Sequence, residues 1–233
     1  MLFRSVDIVM CIDLTGSMQP CIDTVKSRAL QFWPDLQEAL KNASKCVSDV
    51  RVKVIGFRDF EADGAKSLEV SRYFNLSEQG SSDPEEYKKF VNGLVAEGGG
   101  DEPENALEAL SLAIQSDWVQ TGDKRRHVIV MFTDASAHKL ENANRSNPYY
   151  PQDMPASLEE LTDIWMTPTS GQQVSKIKLK QPAKRLVVFA PQMYPWPEIY
   201  ESWNQVVYNP TADTSGLDDV TYEDIINTIV GSV

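Results

Sequence analysis

The sequence predicts an α/β fold: a doubly wound, mostly parallel central sheet with helices on both faces and one short antiparallel edge strand. Three observations point there. Short apolar runs rich in Val and Ile alternate with helix-period segments along the whole chain. The runs around Val6–Ile12, Val128–Phe132 and Leu186–Phe189 are nearly continuous in apolar residues, as strands covered on both faces must be. Two of these runs close on an aspartate, Asp13 and Asp134, at the carboxyl ends where such sheets bind ligands.

Each element follows from its residues. Ser5 to Ile12 is a central strand, and Asp7 within it needs a polar partner or a strand-end position. Ser17 to Lys41 carries a helical pattern in Val25, Ala29, Leu30, Phe32, Trp33, Leu36 and Leu40. Pro20 suits its first turn, and Pro34 should kink or divide it. Val50 to Phe57 alternates as a second strand, and Leu68 to Phe74 is a shorter, more polar strand suited to the sheet edge. Asp83-Pro84-Glu85-Glu86 starts a helix with acids where its dipole favours them, and that helix ends near Gly93. Gly98-Gly99-Gly100-Asp101-Glu102-Pro103-Glu104 is a flexible loop feeding a helix from about Pro103 to Trp118. Arg126 to Thr133 is another buried strand, ending in Asp134. Residues 136–156 are rich in Asn, Pro, Ser and Tyr and form a loop insertion. A helix follows from Ser157 to Trp165, and Lys184 to Ala190 is the last clear strand. Trp196, Tyr200 and Trp203 lie close to one helical face that packs on the sheet, and Tyr222 to Val230 closes the chain as a helix. No internal repeat interrupts this order, so residues 1–233 are read as a single domain.

The bulk properties narrow the function. Hydrophobic residues make up 42% and charged residues 24% of the 233, ordinary values for a globular chain. A net charge of −12, from 22 basic and 34 acidic residues, argues against a nucleic-acid or anionic-membrane surface. No apolar stretch is long enough to span a bilayer. The start, Met1-Leu2-Phe3-Arg4, lacks the pattern of a signal peptide. Cys11, Cys21 and Cys46 are odd in number and show no CxxC spacing, so they read as reduced thiols of a cytoplasmic protein.

Asp13-Leu14-Thr15-Gly16-Ser17-Met18 places a carboxylate and two hydroxyls within five residues as a strand ends. These are hard oxygen ligands, which suit Mg²⁺ or Mn²⁺. The bland alternative is that Asp13 and Ser17 only cap the next helix. Asp134 and the Gly-rich loop with Asp101 fall at the same rim in the expected fold order, and that shifts the balance towards a metal. Mg²⁺ keeps waters, so a partner's carboxylate can take a remaining position.

The hexapeptide resembles the DxSxS signature of von Willebrand factor type A domains, and Asp134, in Phe132-Thr133-Asp134-Ala135, resembles their aspartate after the fourth strand. The resemblance spans nearly the whole chain in element order. Within the family it is closest to the hemicentin and alpha-kinase-like subgroup with a Gly-Gly-Gly-Asp-x-Pro-Glu loop, matched by Gly98 to Glu104, Phe57-Arg58-Asp59-Phe60 and Lys184 to Phe189. It implies a metal-ion-dependent adhesion site (MIDAS) at Asp13, Thr15, Ser17, Asp101 and Asp134, holding Mg²⁺ or Mn²⁺ and completed by a protein partner's acidic side chain or by water. Thr15 stands where the first serine is usual. The wider family's loop threonine has no equivalent here, and Asp101 stands nearby, binding the ion directly or through water.

Other residues receive definite expectations. Arg58 pairs with Asp13 or Asp101, or forms a surface ion pair. Glu102 and Glu104 merely favour a helix dipole. His127 is structural; His138, four residues after Asp134, is close enough in sequence to overhang the rim, but an ordinary role without function is the favoured expectation. Tyr149 and Tyr150 offer an exposed partner surface. The function read from all this is a metal-dependent adaptor module without catalytic activity, with neither nucleic acid nor membrane as partner. Two alternatives stand. One is a haloacid-dehalogenase-like phosphotransferase using Asp13 as nucleophile, although Thr15 replaces that pattern's second aspartate. The other is a structural subunit with a vestigial metal site.

Overall fold

The strands come first, because they position everything else. In the computed structural model, residues 4–78, 81–99, 102–121, 124–167 and 177–233 are described. In chain order the elements are β1 (Arg4–Asp13), α1 (Gln19–Arg28), α2 (Phe32–Asn42), β2 (Asp49–Phe57), α3 (Phe60–Asp63), β3 (Leu68–Val70), β4 (Phe74–Asn75) and α4 (Asp83–Gly93). They continue with α5 (Ala106–Ile114), β5 (Lys124–Phe132), α6 (Leu158–Met166), β6 (Lys184–Pro191), α7 (Trp196–Ser202), β7 (Val206–Thr211) and α8 (Tyr222–Ser232). The sheet runs β3-β2-β1-β5-β6-β7, with β4 also on β2. Strands β2, β1, β5, β6 and β7 are parallel, and β3 and β4 are antiparallel to β2.

This is the doubly wound α/β fold that the apolar runs predict. Alternate residues of each strand feed two cores. Val6, Ile8, Met10 and Ile12 of β1 pack beneath α1, α2, α4 and α8, whereas Val9 and Cys11 face α5, α6 and α7. Burial on both faces explains why β1 is apolar throughout except at Asp7. That carboxylate accepts two hydrogen bonds from Arg51, at 2.8 and 2.6 Å, and one from the Val119 amide at 2.7 Å. Gly56 of β2 has a steric reason: a Cβ there would lie 2.4 Å from Leu14 Cδ1.

Several boundaries depart from expectation. The long first helix is divided, but at Ala29–Gln31, ahead of Pro34, which sits in the first turn of α2 where its missing N–H costs nothing. Leu30 falls in that break and is 41% exposed. The antiparallel edge is two short pieces, β3 and β4, instead of one run from Leu68 to Phe74. Helix α5 is shorter than the Pro103–Trp118 span. Strand β7 was not foreseen, because its apolar stretch is only three residues long before Asn209 and Pro210. Tyr200 is exposed beside Tyr208 instead of packed on the sheet with Trp196 and Trp203.

The insertion after β5 is also more ordered than a surface loop. Helix α5 is buried nearly all round, which requires a cover on its outer side. Tyr150 supplies part of it: it is buried, meets the Phe60 ring edge-on at 5.5 Å, and donates to Glu108 Oε1 at 2.8 Å. Only Tyr149 of the tyrosine pair is exposed.

His127 is structural, as expected. Its Nε2 lies 3.0 Å from the Val119 carbonyl and its ring stacks on Trp118. Burial, the main cause, lowers its pKa to about 4. The unfolded chain therefore takes up this proton first, and the stabilisation present above about pH 6.5 is lost as the pH falls towards 4. Relative to His127→Gln, the wild type should lose on the order of 3 kcal/mol over that window. Urea denaturation of both proteins across the range checks it.

Candidate metal centre

The carboxyl ends of β1 and β5 are adjacent because the two strands pair in register from Arg4↔Lys124 to Ile12↔Phe132. Asp13 and Asp134 therefore come to one rim from 121 residues apart in sequence. Asp13 is fully buried. Its Oδ1 accepts the Thr15 amide at 2.9 Å, and its Oδ2 accepts the Thr133 hydroxyl at 2.7 Å. The chain then turns outward, so Thr15 is buried and Ser17 is exposed. Ser17 Oγ donates to Asp134 Oδ1 at 3.0 Å and lies 3.4 Å from Thr15 Oγ1. Asp134 Oδ2 accepts the Gly216 amide at 2.7 Å. Four of the five sequence-predicted residues, Asp13, Thr15, Ser17 and Asp134, are thus brought together, and the fifth, Asp101, lies outside the described residues.

The Gly-rich loop leans on this cluster. The Glu97 amide donates to the Leu14 carbonyl at 3.0 Å, and Gly99, at φ 85°, presses on Thr15. A Cβ on Gly99 would lie 2.5 Å from Thr15 Cγ2 and 2.9 Å from Glu104 Oε1. A residue with a side chain would have to displace either the hydroxyl-bearing Thr15 or the glutamate.

That glutamate is the residue the sequence reading missed. Helix α5 begins at Ala106, so Glu104 is not in its first turn. It bridges to Ala137 in an isolated parallel pairing, with its amide on the Ser136 carbonyl and its own carbonyl on the His138 amide. Glu104 is 4% exposed, and its Oε2 is buried without a hydrogen-bond partner. Burial, followed by the charges of Asp13, Asp59, Asp63 and Asp134, pushes its carboxyl up to about 9. An acid placed directly after the Gly-rich loop was the available signal.

Arg58 takes the ion-pair alternative, with Glu69, and adds backbone contacts that were not expected. Arg58 is buried and does not pair with Asp13, and Asp101 lies outside the described residues. It donates to the carbonyls of Leu14, Lys66, Val95 and Glu97, and to Glu69 Oε1 at 3.2 Å. It ties the Asp13 loop to the Gly-rich loop through backbone. His138 Nε2 lies 2.9 Å from Asp59 Oδ2. Asp59 in turn caps α3.

The electrostatics favour a cation. Among the described residues, no Lys, Arg or His forms an ion pair with Asp13, Asp134 or Glu104. Burial pushes the Asp13 carboxyl up to about 6, partly opposed by its hydrogen bonds and reinforced by Asp134. No three His, Cys, Asp or Glu side chains among the described residues converge closely enough to hold a metal alone. The donor set is instead mixed, with two carboxylates, two hydroxyls and an orphaned glutamate oxygen nearby. All are oxygens, the chemistry of a hard dication.

A family model described as von Willebrand factor A domain matches residues 77–147. That match spans less than a third of the chain, so it marks a resemblance to von Willebrand factor A (VWA) domains over this region. Such domains commonly serve as protein-interaction modules and often bind divalent metals at a MIDAS. The alpha-protein kinase vwkA of Dictyostelium discoideum is 29% identical over 144 residues, covering 62% of this chain and 20% of that protein. The chain thus matches about a fifth of the curated relative's length. The pilus adhesin SpaC of Lactobacillus rhamnosus GG has a TM-score of 0.53 at 14% identity, covering 98% of this chain and 30% of that one. At that identity the likeness concerns the fold alone. Among the described residues, no helix is long and apolar enough to cross a membrane.

Proposed function

We propose that residues 1–233 form one VWA-like domain, a metal-dependent adaptor that binds a protein partner at the carboxyl edge of its sheet. The observation that carries this is the uncompensated buried charge of Asp13 beside Asp134, with the Thr15 and Ser17 hydroxyls between them. Asp13, Thr15, Ser17 and Asp134 would hold Mg²⁺ or Mn²⁺. Asp101 is retained from the sequence as a fifth contributor, and Glu104 is added as a neighbouring acid whose unpartnered oxygen would favour a cation in the site. When bound, the ion supplies positive charge that a partner's acidic side chain can approach. This chain's own residues orient that ion: Thr133 fixes the Asp13 carboxylate, and the Gly216 amide fixes Asp134.

We assign the chain to the hemicentin and alpha-kinase-like subgroup on its own Gly98 to Glu104 loop, and the likeness to an alpha-protein kinase agrees with that assignment. Three free cysteines fit a reducing, cytoplasmic setting. The phosphotransferase alternative is disfavoured, because a fully buried Asp13 with both oxygens hydrogen-bonded is poorly placed as a nucleophile. Calorimetry should show one Mg²⁺ bound per chain, and the thermal midpoint should fall in chelator and recover with Mg²⁺. No heat at millimolar Mg²⁺ or Mn²⁺ would sink the reading.

A further inference from the structure

At the opposite edge of the sheet the charge pattern inverts. Val6, Val128 and Val187 share one core, so Arg4, Arg126 and Arg185, each two residues earlier on β1, β5 and β6, lie on that same face. The pairing Val6↔Arg126 and Val128↔Arg185 staggers the three arginines diagonally across neighbouring strands. Lys124, opposite Arg4, continues the row. Lys45, from the loop after α2, joins them with its Nζ on the Val230 carbonyl at 2.6 Å, and the Ser48 amide ties that loop to the Arg4 carbonyl at 2.9 Å.

Among the described residues, no carboxylate pairs with this cluster: none of Arg4, Lys45, Arg126 and Arg185 forms an ion pair. Arg126 Nε is buried with no hydrogen-bond partner. Arg126 and Arg185 otherwise donate to carbonyls of their own strand starts. After burial, the charges that lower Lys45 are those of Arg4, Arg126 and Arg185. The bland explanation is service to the C-terminus of α8, which Lys45 does provide. A helix end carries only about half a negative charge, so it cannot balance four positive ones.

A groove of about 700 Å³ opens beside Lys45, with Trp33, Pro34, Leu40 and Val47 as apolar lining and Lys41 at its side. Glu38 is the one carboxylate lining it. We infer that this edge, formed by Arg4, Lys45, Arg126 and Arg185 with the adjoining groove, docks an acidic segment of a protein partner. Charge complementarity selects the acidic residues, because a chain of net charge −12 has little other reason to gather uncompensated cations here. The apolar strip selects a peptide over a small anion. The module would then hold two partners, one at each edge of the sheet.

The probe is a fluorescein-labelled peptide, Glu-Glu-Phe-Glu-Glu-Leu-Glu-Glu, followed by polarisation at low salt with the whole chain. Binding should be at least tenfold weaker in Lys45→Glu and Arg185→Glu, and unchanged between Mg²⁺ and chelator. Lys41→Glu, at an exposed helix end remote from the core, should weaken it about threefold and guards against misfolding of the other two, which circular dichroism also checks. No binding by wild type, or equal binding by all variants, overturns the inference. Binding removed by chelator assigns the peptide to the metal edge and also overturns it. Binding to phosphatidylserine vesicles but not to the peptide replaces the protein partner with a membrane. A failed Mg²⁺ titration alone leaves this surface standing.

Discussion

Asp13→Asn should abolish Mg²⁺ binding while making the metal-free protein more stable at neutral pH. Asparagine keeps an oxygen for the Thr15 amide and nearly the same volume, so the loop has no steric reason to move. What it removes is a fully buried charge without a cationic partner. The sign follows from the carboxyl being raised from 3.8 to about 6 in the fold. The native state binds this proton more tightly than the unfolded chain, so the charge is destabilising above about pH 6 and the penalty is relieved as the pH falls towards 3.8. The variant should gain on the order of 2 to 3 kcal/mol at pH 7.5, less whatever the Thr133 contact loses, and the gain should shrink on acidification. Urea denaturation in chelator, paired with Mg²⁺ calorimetry, checks both halves. A variant that is destabilised yet still titrates with Mg²⁺ would contradict them together.

Arg58→Met should be among the most damaging single changes in the chain. The methionine fills much of the same space but donates nothing, so the carbonyls of Leu14, Lys66, Val95 and Glu97 lose their shared partner. Removing one member of a buried charged network costs about 3 to 5 kcal/mol. Arg58→Lys should recover only part of this, because an ammonium has three donors in place of a planar fork of five. Both variants should weaken Mg²⁺ binding about tenfold where they remain folded, since the Asp13 and Gly-rich loops are no longer held together. Chemical denaturation gives the stability, and calorimetry below the unfolding transition gives the affinity. Unchanged affinity in Arg58→Lys would show that the clamp serves stability alone.

The sheet and four of the candidate ligands were legible in the sequence for one reason. Asp13 and Asp134 each follow an apolar strand, and parallel strands deliver their carboxyl ends to a common rim whatever lies between them. Local spacing then carried Thr15 and Ser17 along. Glu104 was hidden because its role depends on a pairing with Ala137, thirty-three residues away, which no local pattern announces. Arg58 was expected to meet carboxylates because charge is visible in a sequence, whereas the backbone carbonyls it serves are not. Strand β7 escaped because its apolar stretch, Val206-Val207-Tyr208, is only three residues long before Asn209 and Pro210, too short to announce a strand.

The long separation between Asp13 and Asp134 also sets an order of assembly. Bringing β1 against β5 closes a loop of more than a hundred residues, a step that must be achieved through strand pairing before the rim exists. An ion bound as proposed would therefore have nothing to grip while the chain is collapsing. It would act as a late lock, which holds the finished molecule closed by slowing its opening and does little to hasten its formation.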